Sequence, residues 1–576
     1  MKLKLLDGSS NNIGDIISTV LHNRGITNTE EFLHTSKSNT INYELLDNIT
    51  EAVKCMIGHI ENNSNIHIVV DSDADGYCSA AIVYQYLKKY APSLNISHSL
   101  HTGKQHGLSD DIEIPKNTNL IIIPDASSNE YEQHKHSHSQ GMDIIVLDHH
   151  ECEAYSEHAI VVNNQLSKNY TNKAFCGAGV TYKFLKALDD ELWHNDADNY
   201  LDLVAIANIG DVMDSRSLET RYYMNEGLKH IKSNAIKAFY NKVSDRMGEL
   251  SLIGVAFYII PLINAMIRVG TQEQKDLMFK AFCNEYAEFD YTKRDKSVIK
   301  ENIYDRVARE CVNAKSRQDR QKTNMTASVS SRIDDTGLNE NRLILCNVDD
   351  LITRELTGLV AMGVANKYRR PALLYRTRVE EKDGEKICTY EGSLRNYDGF
   401  ELEDLRGFLL GTGLFNYVEG HANAAGFGFI PENETVIIEV CNNELEKYSI
   451  DYTYHVDFIM PFEDLDDSVF YEMDKAKCLW GQKVDEPLFA IQDIDVLLNK
   501  INVKEGKTGI TVKFEVDGIT FIRFKVKEDD ELVRICQDWE FEESNAKLSI
   551  VGKIGINSFG GLKTLQVVIS DWQIIK

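Results

Sequence analysis

Apolar positions from Asn65 onward fall into short runs, HIVV, NLIIIPD and MDIIVLDHH, separated by amphipathic stretches such as YCSAAIVYQYLKKY. Runs that short suit buried strands, and the stretches between them carry helical spacing. Strands that alternate with helices predict a parallel α/β sheet, with its ligand site beyond the carboxyl ends of the strands. A second α/β unit is expected from Arg342 to Ile430, around LILCNV, the helix-like ELTGLVAMGVANKY and PALLYR. From Leu488 the pattern turns strand-rich (LFAIQDIDVLL, GITVKFEVDGITFIRFKV, LSIVGKIGI, LQVVISDW), and its Asp-Gly and Gly-Gly turns predict a small all-β barrel.

The remaining stretches read as helical. Residues 1 to about 60 are polar, and Glu30 follows Thr27 at capping-box spacing. Lys293 to Lys322 lacks Gly and Pro and carries ten basic against five acidic residues, which predicts a long exposed helix linking the two α/β units. LSLIGVAFYIIPLINAMI (Leu250 to Ile267) runs uncharged over nearly a membrane-spanning length, but Pro261 and Asn264 interrupt it and its flanks lack an aromatic belt. A buried core helix and no membrane are expected. The organisation is therefore an N-terminal helical segment (1–64), a first α/β domain (65–270), a helical connector (271–340), a second α/β domain (341–435), a helical bridge (436–487) and the barrel (488–576).

Composition narrows the partners. In a chain of 576 residues, 62 basic against 89 acidic residues give a net charge of −27, which argues against broad adhesion to nucleic acid or anionic lipid. A polyanion must then be met by local basic patches or bound cations. Eleven cysteines without a CxxC pair indicate neither a disulfide framework nor a zinc ribbon, and the N-terminus lacks a signal-peptide core. A cytoplasmic location is expected.

The chemistry concentrates in acidic loops. DSDADG places Asp71, Asp73 and Asp75 at alternate positions after a strand. A calcium loop would need a Glu at the twelfth position, where Ile82 stands, and a preceding helix. Helix capping would account for Asp75 alone. Further strands end at Asp125 (IIIPDASS) and at Asp148, His149 and His150 (IIVLDHHE), and AIANIGD adds Asp211. Carboxylates mixed with imidazoles at converging strand ends suit divalent ions that accept oxygen and nitrogen, manganese ahead of calcium. Two such ions would offset the repulsion and suit phosphoester hydrolysis.

In that order, DSDADG, PDAS, LDHH and IGD resemble the four motifs of the DHH phosphoesterase superfamily. NNQ (Asn163 to Gln165), CGAGVTYKFL (Cys176 to Leu185) and PLINAMIR (Pro261 to Arg268) are similar to stretches of the RecJ-type single-strand-specific exonucleases. EGSLRN (Glu391 to Asn396) and EGHANAAGFGF (Glu419 to Phe429) resemble the DHH-associated domain. WGQKVDEPLF (Trp480 to Phe489) and INSFGGLKTLQVVISDW (Ile556 to Trp572) resemble the family's OB-fold.

The resemblance implies two Mn2+ ions, with Mg2+ as a substitute. Asp71, Asp125 and His67 would hold one ion, and Asp73, Asp125, His149 and Asp211 the other. His150 would contact the scissile phosphate, with Asp75 and Asp148 orienting the ligands. Ser393, Arg395, Gly420, His421, Ala424 and Gly426 would grip phosphate. Phe521, Phe524 and Phe559, with Arg523 and Lys525, are candidate base and backbone contacts, although strand aromatics more often serve the core.

Two departures stand out. The chain reads HTGKQHGLS where the family usually has an arginine ahead of a Gly-Tyr-Gly turn, which puts His101 at the arginine and His106 at the tyrosine. Lys104 is left to supply the charge, as a point charge rather than a fork. Ala126 and Ser127 replace the usual Asn and Gly of the second motif.

The expected activity is a 5′ to 3′ single-stranded-DNA exonuclease that releases mononucleotides, in repair or recombination, served by a helicase or single-strand-binding protein. The rivals are a phosphodiesterase for oligoribonucleotides or cyclic dinucleotides, which would not need the barrel, and an inactive replication scaffold, which would have lost the Asp and His ligands.

Overall fold

A computed structural model describes the chain except residues 7–14, 104, 110–111, 383–384, 451, 507–508, 538–544, 560–561 and 576, and the side chains of 380–382, 385 and 559. It forms two units. One holds Leu6–Lys315, Asp457–Ser570 and Ile574–Lys576; the other holds Met1–Leu5, Ser316–Val456 and Asp571–Gln573.

In the larger unit, β1 (Asn65–Val70), β2 (Asn95–Leu100), β3 (Leu120–Pro124), β4 (Asp143–Asp148) and β5 (Ile160–Asn163) form a five-stranded sheet in the order β2-β1-β3-β4-β5. Every pairing is parallel. Alternate residues enter different cores: Ile68, Ile122 and Ile145 pack in one cluster, Val69, Ile121, Ile123 and Val146 in another. Burial on both faces is why these strands read as unbroken apolar runs rather than alternating ones.

Helices α1 (Ile49–Glu61), α2 (Ala74–Tyr90), α3 (Gly177–Leu192) and α4 (Leu201–Gly210) pack in the first cluster. The membrane-length segment breaks into Leu252–Gly254, a π-helical turn Val255–Ile259 and a helix Ile260–Val269. It is long and apolar enough to cross a membrane, but 56% of the window Leu252–Val269 is buried in the protein.

The C-terminal sheet has seven strands: β11 (Phe458–Pro461), β12 (Phe489–Leu497), β13 (Asn502–Gly506), β14 (Gly509–Val516), β15 (Ile519–Val526), β16 (Asn545–Phe559) and β17 (Leu562–Ile575), ordered β11-β12-β16-β17-β15-β14-β13. The second α/β unit carries β6 (Ile344–Asn347), β7 (Ala372–Lys382), β8 (Glu385–Arg395), β9 (Tyr417–His421) and β10 (Ala424–Phe429), ordered β9-β10-β8-β7-β6. A 33-residue helix, α5 (Ile303–Asp335), joins the two units, and α6 (Thr357–Tyr368) follows β6.

Several helical expectations give way to strands. Lys2–Leu5 is a strand, paired in parallel with Thr453–Val456, so neither 1–64 nor 436–487 is wholly helical. β11 joins the C-terminal sheet, which therefore begins before Leu488. Glu288–Thr292 and Val298–Asn302 form a hairpin ahead of α5, inside the expected connector helix. The basic stretch is not exposed throughout, because Ile303, Val307, Cys311 and Ala314 recur at helical spacing and are buried. The N-terminal cap lies one residue later than expected: Asn28, not Thr27, accepts the Glu31 amide.

Candidate metal centre and phosphate-binding elements

The sheet's carboxyl edge gathers the acidic residues. Asp71 follows β1, Asp73 caps α2 by accepting the Gly76 amide at 3.0 Å, and Asp125 follows β3. Ligand oxygens of these three lie within 4.8 Å of one another. Asp75, His149 and Asp211 form a second such group, and Asp125, Asp148, His149 and His150 a third. His149 links them, with Nε2 at 3.2 Å from Asp125 Oδ1 and 3.5 Å from Asp211 Oδ2.

Asp125 is the centre of the arrangement. Both of its carboxylate oxygens are buried without a hydrogen-bond partner, as are His149 Nε2 and His67 Nε2. Burial first, then the charges of Asp75, Asp73, Asp71 and Asp211, push the Asp125 carboxyl well above the usual range. Burial followed by the same neighbours raises Asp211 well above it, and burial with Asp71 and Asp75 brings Asp73 to about 6. Orphaned donors and mutually repelling carboxylates fit a site for divalent cations, since cations would satisfy the former and neutralise the latter.

Strained backbone sets these positions. Asp125 (φ 71°), Ser127 (φ 87°) and Val212 (φ 56°) occupy the left-handed region without being glycine. The Asp125 amide donates to Leu147 O at 2.8 Å, which locks the loop to β4. α3 starts against it: a Cβ on Gly177 would come within 2.5 Å of Asp125 Oδ1, so only glycine lets the helix approach.

The expected supporting residues have defined partners. Asp75 accepts the Gly177 and Ala178 amides at 2.7 and 2.8 Å and so fastens the N-terminus of α3. Asp148 accepts the His149, His150 and Ser128 amides and His150 Nδ1, the last at 2.8 Å. Burial alone would raise Asp148, but the hydrogen bond and charge of His150 outweigh it and hold the carboxylate below its usual range. Against burial, the same contact lifts His150 to about 10, and its side chain is 55% exposed. His67 is fixed through Nδ1 to Ser97 at 2.8 Å and lowered to about 4 by burial.

The sequence marks His106 only as the replacement for the family's tyrosine. Its Nδ1 lies 2.6 Å from Asp71 Oδ2, and the Gly107 amide donates to Asp71 Oδ1 at 3.2 Å. Glu130 binds this loop to the Asp125 loop, accepting Leu108 N at 2.7 Å and the Ser127 hydroxyl. His101 is buried, 3.9 Å from Asp71 Oδ1. Gln482, between β11 and β12 of the C-terminal sheet, donates to Ile209 O at 3.2 Å, two residues before Asp211. Histidines in a Gly-rich loop after β2 were the available signal for the first; nothing local signalled the second.

In the second unit the register aligns Arg395, Ala424 and His421 across β8, β10 and β9, with Ser393 opposite Gly426. The Arg395 guanidinium lies over the first turn of α6, where a Cβ on Gly358 would meet Nη2 at 2.5 Å. A helix N-terminus beside an arginine suits an anion. Gly420 has φ 127°, and His421 is exposed. Lys104 lies outside the described residues, as does the Phe559 side chain. Phe521 is no platform: it is buried and stacked on Phe514 at 5.1 Å. Phe524 is 55% exposed beside exposed Lys525, and Arg523 pairs with Asp530 at 3.5 Å.

The family profile for the DHH family, N-terminal domain, matches residues 65–208, and that for the RecJ OB domain matches residues 456–571. A Bacillus subtilis protein derived from the SPbeta prophage, YorK, provisionally named a single-strand DNA-specific exonuclease, is 39% identical over 100% of this chain and 99% of its own. The single-stranded-DNA-specific exonuclease RecJ of B. subtilis is 23% identical over 98% of this chain and 69% of its own. In structure, the chain is similar to RecJ of Thermus thermophilus in complex with Mn2+, with a TM-score of 0.70 at 17% identity over 100% of this chain and 79% of the other. The Mg2+ complex of that protein matches with a TM-score of 0.65, 17% identity, and 100% and 78% coverage.

Proposed function

The chain belongs to the RecJ family of DHH phosphoesterases, and on that premise we propose that it is a metal-dependent exonuclease that removes mononucleotides from single-stranded DNA, 5′ to 3′. The observation that carries the reading is Asp125, whose two buried, unpartnered oxygens lie between the Asp71–Asp73 pair and His149. Asp125 would belong to both ligand sets, with Asp71 and His67 holding one cation and Asp73, His149 and Asp211 the other. Mn2+ is preferred, because two imidazoles join the carboxylates, and Mg2+ substitutes. That the RecJ structures named above hold Mn2+ or Mg2+ supports the choice.

When bound, the ions supply an activated water and neutralise charge developing on the phosphoryl group. The protein's own groups do the rest. His150, oriented by Asp148 through Nδ1, donates to a phosphoryl oxygen. Asp75 holds α3, and Asp148 holds the His149–His150 turn, so the donors keep their aim. Ser393 and Arg395 grip a phosphate of the strand with the amides near Gly420 and Gly426, and His421 adds a donor. Phe524 and Lys525 offer stacking and charge on the OB domain.

We further propose a cytoplasmic role in repair or recombination, on strands exposed by a helicase or kept open by a single-strand-binding protein; kinship with single-strand-specific exonucleases supports the choice of substrate.

The test uses 5′- and 3′-labelled single strands, duplexes and dinucleotides with Mn2+, Mg2+ or chelator. Stepwise loss from the 5′ end of single strands, abolished by chelator, is expected. Removal from the 3′ end, or cleavage of dinucleotides alone, would overturn the reading.

A further inference from the structure

Three side chains of different donor chemistry meet at the opposite rim of the first sheet. Cys55 and His59 lie one turn apart on α1, Asp143 opens β4, and one ligand atom from each lies within 4.8 Å of the other two. Asp143 and Asp148 are the two ends of β4, so the cluster stands roughly 16 Å from the acidic centre at the rise of a strand.

His59 Nε2 is 3.0 Å from Asp143 Oδ2, and its Nδ1 is 3.0 Å from Ser64 Oγ. Metal-bound imidazoles are held this way, with one nitrogen toward the ion and the other fixed by a hydrogen bond. A separation near 3 Å also approaches the edge, about 3.3 Å, of a tetrahedron with bonds of about 2.0–2.1 Å. A surface His–Asp ion pair explains two members and leaves Cys55 aside. That thiol is pushed up to about 11, by burial and then by Asp143, so without a cation it stays protonated at neutral pH.

We propose that Cys55, His59 and Asp143 form a separate metal site, selective for Zn2+-class ions, that ties α1 to the start of β4. Thiolate, imidazole and a single carboxylate favour borderline-soft ions, whereas Mg2+ seeks oxygen. Binding releases the Cys55 proton to solvent as the S–metal bond forms. Three protein ligands leave the fourth position to water, and the 57% exposed Asp143 side chain marks the way in. The Asp143 amide donates to Asn119 O at 2.9 Å, which fixes that ligand's backbone. The site is independent of the exonuclease reading.

The test uses full-length, metal-stripped protein in excess Mg2+, titrated with Co2+ or Zn2+. A thiolate-to-cobalt charge-transfer band is expected in the wild type and absent in C55S. Peptide-resolved alkylation should show Zn2+ slowing modification of Cys55 by at least about tenfold, as thiolate capture requires, while exposed Cys388 and Cys478 are unchanged. H59Q and D143N should lose the protection, with D143N keeping wild-type Mg2+-dependent hydrolysis. A band that persists in C55S, or equal alkylation of natively folded protein with and without Zn2+, would overturn the proposal.

Discussion

His106 Nδ1 sits 2.6 Å from Asp71 Oδ2, and the next residue's amide holds the other oxygen of the same carboxylate. The two contacts fix the Asp71 plane before any cation arrives. Removing a partner of a ligating carboxylate costs about 10–100-fold in metal affinity. His106→Ala should weaken one of two Mn2+ binding steps by that much, read by titration with free Mn2+ followed by electron paramagnetic resonance. Unchanged affinity would mean that the Gly107 amide alone orients Asp71.

Asp125 supplies a stability prediction with a definite sign. Its folded-state pKa is raised above the unfolded value, so between the two the folded state binds the extra proton and stability falls as pH rises. In chelator at pH 8, Asp125→Asn should therefore be more stable than wild type, by about 1–3 kcal/mol for relief of a buried unsatisfied group. The same variant should lose hydrolysis and most of the thermal stabilisation by Mn2+. If chelated wild type and variant unfold together, the Asp125 carboxylate is not a stressed group.

Acid should act through a different residue. His134, on the helix Tyr131–Ser139, is buried with Nε2 3.4 Å from the Ser127 hydroxyl, and burial, then the charge of His158, lowers it to about 4. The unfolded chain takes up a proton near pH 6.5 that the folded chain refuses. Stability thus falls as pH drops from 6.5 toward 4, by up to about 3 kcal/mol from this group. His134→Gln should show a shallower decline between pH 7.5 and 5 in denaturant titrations with chelator. An identical slope would assign the acid sensitivity elsewhere.

The parallel sheet and its acidic edge were legible because both depend on local pattern. Runs such as NLIIIPD are buried on two faces, and each ends where the strand delivers its loop to the site. What escaped depends on long-range pairing or loop geometry. Lys2–Leu5 is a strand only because Thr453–Val456 lies beside it, and four residues carry too little periodicity to announce that. Glu288–Thr292 has the alternation of a hairpin strand, but the charged run after it obscures the signal. The cap at Asn28 rather than Thr27 turned on which of two adjacent good capping residues faces the helix. His106 sits in a loop without periodicity, so only folding shows that it meets Asp71.

Gln482 is the least legible contributor and gives the sharpest test of how the barrel serves the centre. Its side-chain amide donates to Ile209 O at the end of α4, while its own carbonyl accepts the Ser215 amide at 3.1 Å and hydroxyl at 2.7 Å. These bonds clamp the turn carrying Asp211 from both sides. Truncation to alanine removes the side-chain bond and leaves the carbonyl in place, so the turn should loosen without unfolding. A ligand displaced by about 1 Å costs on the order of 100-fold in rate. Gln482→Ala should therefore lower kcat by about 10- to 100-fold, with single-strand affinity and Mn2+ stoichiometry unchanged in single-turnover and binding assays. A loss of strand affinity with unchanged kcat would instead assign Gln482 to the barrel alone, and the coupling of barrel to metal centre would fail.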